Sequence, residues 1–132
     1  NRILNHIKNK KIQNIALLKR VSQTKLADYY ASAKVILVPS FFESFGRVLV
    51  EAQASGSTVV ASNIPVFKEI ASESAILLPF NPEKWATELS KVIKNHKYRK
   101  KYEMRSINNA RKFLLEETNK KKLEFILDEF KK

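Results

Sequence analysis

Cysteine is absent from the 132 residues of this chain, glycine occurs twice, and methionine and tryptophan occur once each. Without cysteine there are no disulfide staples and no thiolate metal centres, which is compatible with a cytoplasmic setting. No apolar run is long enough to cross a bilayer as a helix, and no secretory signal pattern opens the chain. The one methionine is Met104, so Asn1 is not a start-codon product and the sequence is expected to be a piece of something longer. His6 and His96 have no partner at metal-ligand spacing, so no metal is expected. At this length one domain spanning 1–132 is expected, large enough for a core but too small for a two-domain enzyme.

Acidic residues are also scarce, leaving a formal net charge of +12. The imbalance is uneven: residues 1–38 carry eight basic groups and one acid, residues 39–82 two and four, and residues 83–132 fifteen and eight. The middle is therefore acidic by two, and each flank is basic by seven. A nucleic-acid reader concentrates cations with stacking aromatics on one face. The aromatics of the tail instead recur at core-like spacing, so nucleic acid is not an expected partner. The lysines read as a solvated face or as a contact to an anionic membrane surface, which would make the protein cytoplasmic or peripheral on the inner face of the membrane.

Both glycines fall in one stretch, Pro39-Ser-Phe-Phe-Glu43-Ser-Phe-Gly46-Arg-Val-Leu-Val-Glu51-Ala-Gln-Ala-Ser-Gly56. An average chain holds several times as many glycines, so these mark places where the backbone excludes a side chain. Val35-Ile-Leu-Val38 reads as a strand ended by Pro39, Arg47 to Ser55 as a helix, and Gly56 as its left-handed terminator before a second strand, Thr58-Val-Val-Ala61. In such units ligands bind at the carboxyl ends of the strands. A helix that starts at a glycine offers bare amides to an anion. Glu51, inside Val48-Leu-Val-Glu-Ala, needs a partner if buried, and Glu43 lies in the loop before the helix. Carboxylates repel phosphate but accept from sugar hydroxyls, so the pair suits a ligand that carries both groups.

Elsewhere helices and strands alternate as in an α/β layer fold. The pattern predicts a basic helix ending near Lys10 and a strand within Ile12 to Leu18. It predicts a helix capped by Ser22 with Leu26, Tyr29, Tyr30 and Ala33 at helical spacing, and a short helix from Pro65 through Ile70. Asn81-Pro82-Glu83 starts a further helix whose buried stripe would be Trp85, Leu89, Val92, Ile93 and His96. Region 97–132 would hold two C-terminal helices, about Tyr98 to Leu114 and Thr118 to Phe130.

The glycine-bearing stretch resembles the Glu-x7-Glu signature of the retaining GT-B glycosyltransferases known as family 4, or glycosyl transferases group 1. Upstream, Val21 to Val35 resembles the loop, helix and strand leading into that signature. Downstream, Val59-Val-Ala-Ser-Asn-Ile-Pro-Val-Phe-Lys-Glu69-Ile and Ala75-Ile-Leu-Leu-Pro-Phe-Asn-Pro-Glu resemble the segments that follow it. The resemblance covers roughly residues 12 to 112 and several elements in order.

It implies the carboxyl-terminal half of a GT-B fold, a Rossmann-like parallel sheet with helices on both faces and its first strand missing. It implies a hexosyltransferase-type enzyme as part of a longer chain, with a nucleoside diphosphate sugar as substrate and no cofactor. The acceptor, a glycan or lipid, would bind through an amino-terminal domain absent here. Glu43 would be the catalytic-site acid holding donor-sugar hydroxyls, helped by the backbone of Ser44, Phe45 and Gly46. The amides of Arg47 and Val48 would meet the diphosphate, Glu51 would accept the ribose hydroxyls, and Lys19, Arg20 and Val21 would lie near the nucleotide. Transfer by this chain alone is not expected, since half of the cleft and the family's basic phosphate clamp have no counterpart. Arg47 departs from the family's usual aliphatic residue, and Ser57-Thr58 replaces its usual Thr-Pro.

Simpler roles stand beside these. Glu51 could pair with Arg47 on the helix surface, Glu43 could cap the helix, Glu69 could pair near Lys68, and both glycines could be purely structural. Lys19 and Arg20 could be solvated, and Phe41, Phe42 and Phe45 could either wall a sugar pocket or pack. As a whole, a non-catalytic scaffold or a basic membrane- or nucleic-acid-binding module are the alternatives.

Overall fold

The computed structural model describes residues 2–114. In chain order these are α1 (Arg2–Asn9), α2 (Gln23–Ser32), β1 (Ile36–Val38), α3 (Arg47–Ala54), β2 (Val59–Ser62), α4 (Pro65–Ala71), β3 (Ile76–Leu78), α5 (Pro82–Lys94), α6 (His96–Ala110) and a 3-10 turn, Arg111–Phe113. The strands form one parallel sheet in the order β1-β2-β3, with Leu37 opposite Val60 and Ala61 opposite Leu77. Parallel strands joined by helices are covered on both faces and so read as continuous apolar runs. All four residues of β2 are buried.

Alternation along β2 splits the core in two. Val59 and Ala61 face α3 and α4, packing with Val38, Leu49, Ala52, Phe67 and Ile70. Val60 faces the other way, with Ile76 and Val92, under Trp85, Leu89, Tyr98 and Tyr102. Helices therefore cover both faces, as the sequence predicts.

The cap chemistry explains the boundaries. Ser22 accepts from the Lys25 amide at 3.2 Å, Asn81 from Lys84 at 2.8 Å and Asn95 from Tyr98 at 2.9 Å. Pro65 and Pro82 stand in first turns, where no amide donor is needed.

Three expectations need correction. Ile12 to Leu18 forms no strand, and Ile12, Ile15, Leu17 and Leu18 are exposed. Apolar composition makes a strand only where a neighbour supplies ladder bonds, and none of the three strands pairs with this segment. Ile93 and His96 are also exposed: Ile93 lies in α5 at the solvent edge of the Trp85–Leu89–Val92 stripe, and His96 is carried off it because α5 stops at Lys94 and Asn95 starts the next helix. That helix begins at His96, ahead of Tyr98, and gives way to a 3-10 turn after Ala110. The helix expected over Thr118 to Phe130 lies outside the described residues.

The most polar helix, α6, is held to the core by hydrogen bonds. Asn109 donates to Gln53 Oε1 and to the Ile70 carbonyl, both at 2.9 Å, while Gln53 donates to Ser74 Oγ at 2.6 Å. Gln53 is fully buried and Asn109 nearly so. Asn109→Ala should lower unfolding free energy by about 2–3 kcal/mol, because it strands two buried acceptors. Urea titration should show the midpoint falling at unchanged slope.

Candidate functional site

Gly46 is the N-cap of α3 in a left-handed conformation, φ 81°, and it is buried. Its α-hydrogen faces Phe67: a methyl built there would lie 2.8 Å from Phe67 Cε1 and 3.5 Å from Ile70 Cδ1. Both the backbone angle and the space therefore require glycine. Gly56, at φ 78°, ends the same unit, with a looser contact of 3.3 Å to Ile107 Cδ1.

Because Gly46 has no side chain, α3 starts without a side-chain cap. Leu49 and Val50 donate to the Gly46 carbonyl at 3.0 and 3.3 Å, whereas among the described residues the Arg47 and Val48 amides have no acceptor. They sit at the positive end of the helix dipole, with Arg47 and Val48 both exposed to solvent. The arrangement presents bare donors to an anion.

The two acids stand on either side of this helix start. Ser40 donates to Glu43 Oε1 at 2.9 Å, which fixes the half-buried carboxylate in the loop rather than on the helix amides. Glu51 is half-buried and its Oε1 meets Arg47 Nε at 3.1 Å, the surface pair that the i, i+4 spacing allows. It also lines a hollow of about 280 Å³ between α2 and α3, with Leu26, Tyr30, Ala54 and Ser55. Burial and the nearby Glu51 charge push the Tyr30 hydroxyl pKa upward, with Arg47 opposing.

A second hollow, of about 260 Å³, is lined by Ser44, Phe45, Val66, Glu69, Ile70 and Phe113. Phe45 meets Phe113 edge-on, ring centroids 6.1 Å apart. Glu69 opens into this space, and no Lys68–Glu69 ion pair forms among the described residues. The acids thus do not share one hollow: Glu51 borders the first, Glu69 the second, and Glu43 neither.

Lys19 and Arg20 are exposed and Val21 half-buried in the irregular segment before α2, and none of the three lines either hollow. Sequence reasoning missed Tyr30, Phe113 and Phe80, the last of which stacks on Phe41. The signal for Phe80 was present: β3 ends in Leu78-Pro79 as β1 ends in Val38-Pro39. Among the described residues no group of three or more metal-ligating side chains occurs, and no helix is long and apolar enough to cross a membrane.

Residues 1–113 match the family described as glycosyl transferases group 1. The chain is 36% identical over 107 residues to a D-inositol 3-phosphate glycosyltransferase of Nocardioides sp., covering 79% of this chain and 23% of the relative. It is 50% identical over 50 residues to D-inositol 3-phosphate glycosyltransferase 2 of Catenulispora acidiphila, covering 38% and 12%. The fold matches sucrose-phosphate synthase of Thermosynechococcus elongatus with a TM-score of 0.83 at 20% identity, over 98% of this chain and 33% of that one. That likeness is one of fold, the GT-B fold. The chain spans less than a quarter of the length of these curated relatives.

Proposed function

Since the chain belongs to the glycosyl transferases group 1 family, we propose that it is the donor-binding domain of a retaining glycosyltransferase that uses a nucleoside diphosphate sugar. The observation that carries this reading is the glycine-started α3, whose Arg47 and Val48 amides have no acceptor among the described residues. Diphosphate would take those amides. Glu51, with Tyr30 beside it in the first hollow, would accept the ribose hydroxyls. Glu43, held by Ser40, would accept hydroxyls of the transferred sugar, and Ser44 to Gly46 would support that sugar by backbone contacts.

In transfer, the bond between the anomeric carbon and the diphosphate oxygen breaks and a bond to the acceptor oxygen forms, on the same face of the sugar. The acceptor proton passes to the departing phosphate. Negative charge grows on that phosphate, and donors already in place stabilise it without reorganising. The acids position the donor rather than acting as the flanking carboxylate pair of a retaining glycosidase.

Calorimetric titration with UDP, GDP and ADP tests the reading. One of them is expected to bind, and binding of none would remove the donor assignment. Glu51→Ala should weaken that nucleotide about tenfold, the loss expected for a charged acceptor. The exposed pair with Arg47 contributes only about 0.3–0.5 kcal/mol to stability, so the variant should melt almost as the parent does. Unchanged affinity would exclude Glu51 as the ribose acceptor.

A further inference from the structure

One side of α6 is built from Lys97, Lys100, Lys101, Met104, Ile107 and Asn108, all exposed to solvent. Their spacing, steps of three, one, three, three and one, places them on a single helical stripe. At the rise of an α-helix the stripe runs for about 17 Å. Arg111 and Lys112, also exposed, carry the positive charge on into the 3-10 turn. Glu103 is the one acid of α6, and it lies off the stripe, held by Arg99 at 3.4 Å and Lys100 at 3.5 Å. Lys97 and Lys101 form no ion pair among the described residues. Lys101 has only the Tyr102 ring, its Nζ 5.8 Å from the centroid. Lysines three and four residues apart on one face repel each other, a cost to the helix that nothing on the same face offsets. On α5, by contrast, Lys91 meets Glu88 at 3.7 Å.

The apolar members of the stripe select the kind of anion that would relieve this repulsion. Met104 is 60% exposed and Ile107 42% exposed, and they stand between the lysines of the first turns and the cations of the 3-10 turn. A bilayer of anionic phospholipid presents negative headgroups over an apolar layer, so it answers both the lysines and the two apolar side chains. Nucleic acid offers the charge without that layer, and its readers interleave cations with stacking aromatics. The two tyrosines of α6 turn the other way. Tyr98 and Tyr102 are half-buried, ring centroids 5.2 Å apart, and pack on the core of Val60, Ile76 and Val92.

We propose that this face of α6 is a docking surface for an anionic phospholipid bilayer, with the lysines among the headgroups and Met104 and Ile107 dipping between them. The stripe lines neither hollow, so the proposal stands or falls independently of the donor reading. Co-sedimentation of the 132-residue chain with vesicles tests it, using phosphatidylcholine with and without phosphatidylglycerol, and a duplex DNA oligomer in parallel. Binding is expected to the phosphatidylglycerol vesicles alone, and to weaken as salt screens the charges. Each lysine near such a surface is worth about fivefold in partitioning, so Lys97→Gln/Lys101→Gln should bind about 25-fold more weakly. Met104→Gln keeps the charge and should lose about fivefold, part of what full burial of that side chain would give. Glutamine is a good helix former and these positions are exposed, so both variants should fold as the parent does. Lys8→Gln/Lys10→Gln removes the same charge from exposed positions in and just after α1, and its loss should be much smaller. An equal loss there would mean that the vesicles respond to net charge and not to α6, which overturns the proposal. Failure to bind phosphatidylglycerol vesicles, or equal binding to phosphatidylcholine alone, would overturn it too. DNA binding that needs Lys97 and Lys101, beside vesicle binding indifferent to Met104→Gln, would hand the face to nucleic acid instead.

Discussion

Gly46→Ala is expected to destabilise the chain by about 2–5 kcal/mol and to remove nucleotide binding in whatever fraction stays folded. Two costs add. An L-residue held at φ 81° pays about 1–2 kcal/mol for its left-handed backbone. The new methyl would also lie 2.8 Å from a ring carbon of Phe67, which is fully buried and has no room to retreat, and overpacking of this kind costs about 1–3 kcal/mol. Relief of either strain swings the start of α3 and moves the Arg47 and Val48 amides together. Chemical denaturation gives the first effect, and nucleotide titration of the folded protein gives the second. Gly56→Ala makes a useful contrast: it has a similar φ, but its neighbour at 3.3 Å is the end of the flexible, exposed Ile107. It should cost less and leave nucleotide affinity intact. Equal affinity losses from both substitutions would detach the anion site from Gly46.

Phe67→Ala should be more damaging to stability, about 3–5 kcal/mol, the range for removing a fully buried phenyl group. Phe67 lies in the core between α3, α4 and the sheet, so its loss leaves a cavity directly beneath the site. The pairing of Phe67 with Gly46 gives a sharper test. In a Gly46→Ala/Phe67→Leu double variant the smaller side chain should relieve the clash but not the backbone angle, so the combined loss should be less than the sum of the single losses. Strict additivity would mean that the cost at Gly46 is all backbone.

The parts of the site governed by local chemistry were legible in the sequence. Two glycines framing eight helical residues, two first-turn prolines and the polar caps Ser22 and Asn81 each depend on only a few neighbouring residues. What depends on distant partners was not legible. The run from Ile12 to Leu18 has the composition of a strand, and only a pairing neighbour would make it one. Glu51 looked buried because Val48, Leu49 and Val50 precede it, yet helical geometry turns it toward Arg47 and buries Gln53 instead. That glutamine is tolerated because Ser74 and Asn109, far along the chain, complete its hydrogen bonds. Phe41 and Phe80 are separated by two helices and two strands in sequence, so their stacking follows from the parallel order of the sheet rather than from any motif.

The hollow beside Glu51 and the hollow beside Ser44 share no lining residue. Under the proposed reading, such compartments let leaving-group preference and sugar preference drift separately. A lineage could exchange its nucleobase through changes along α2 while the sugar it delivers stays the same, and the reverse exchange could proceed through α4. An engineer seeking a new donor would then vary one chamber at a time, with the glycine-started helix between them left untouched.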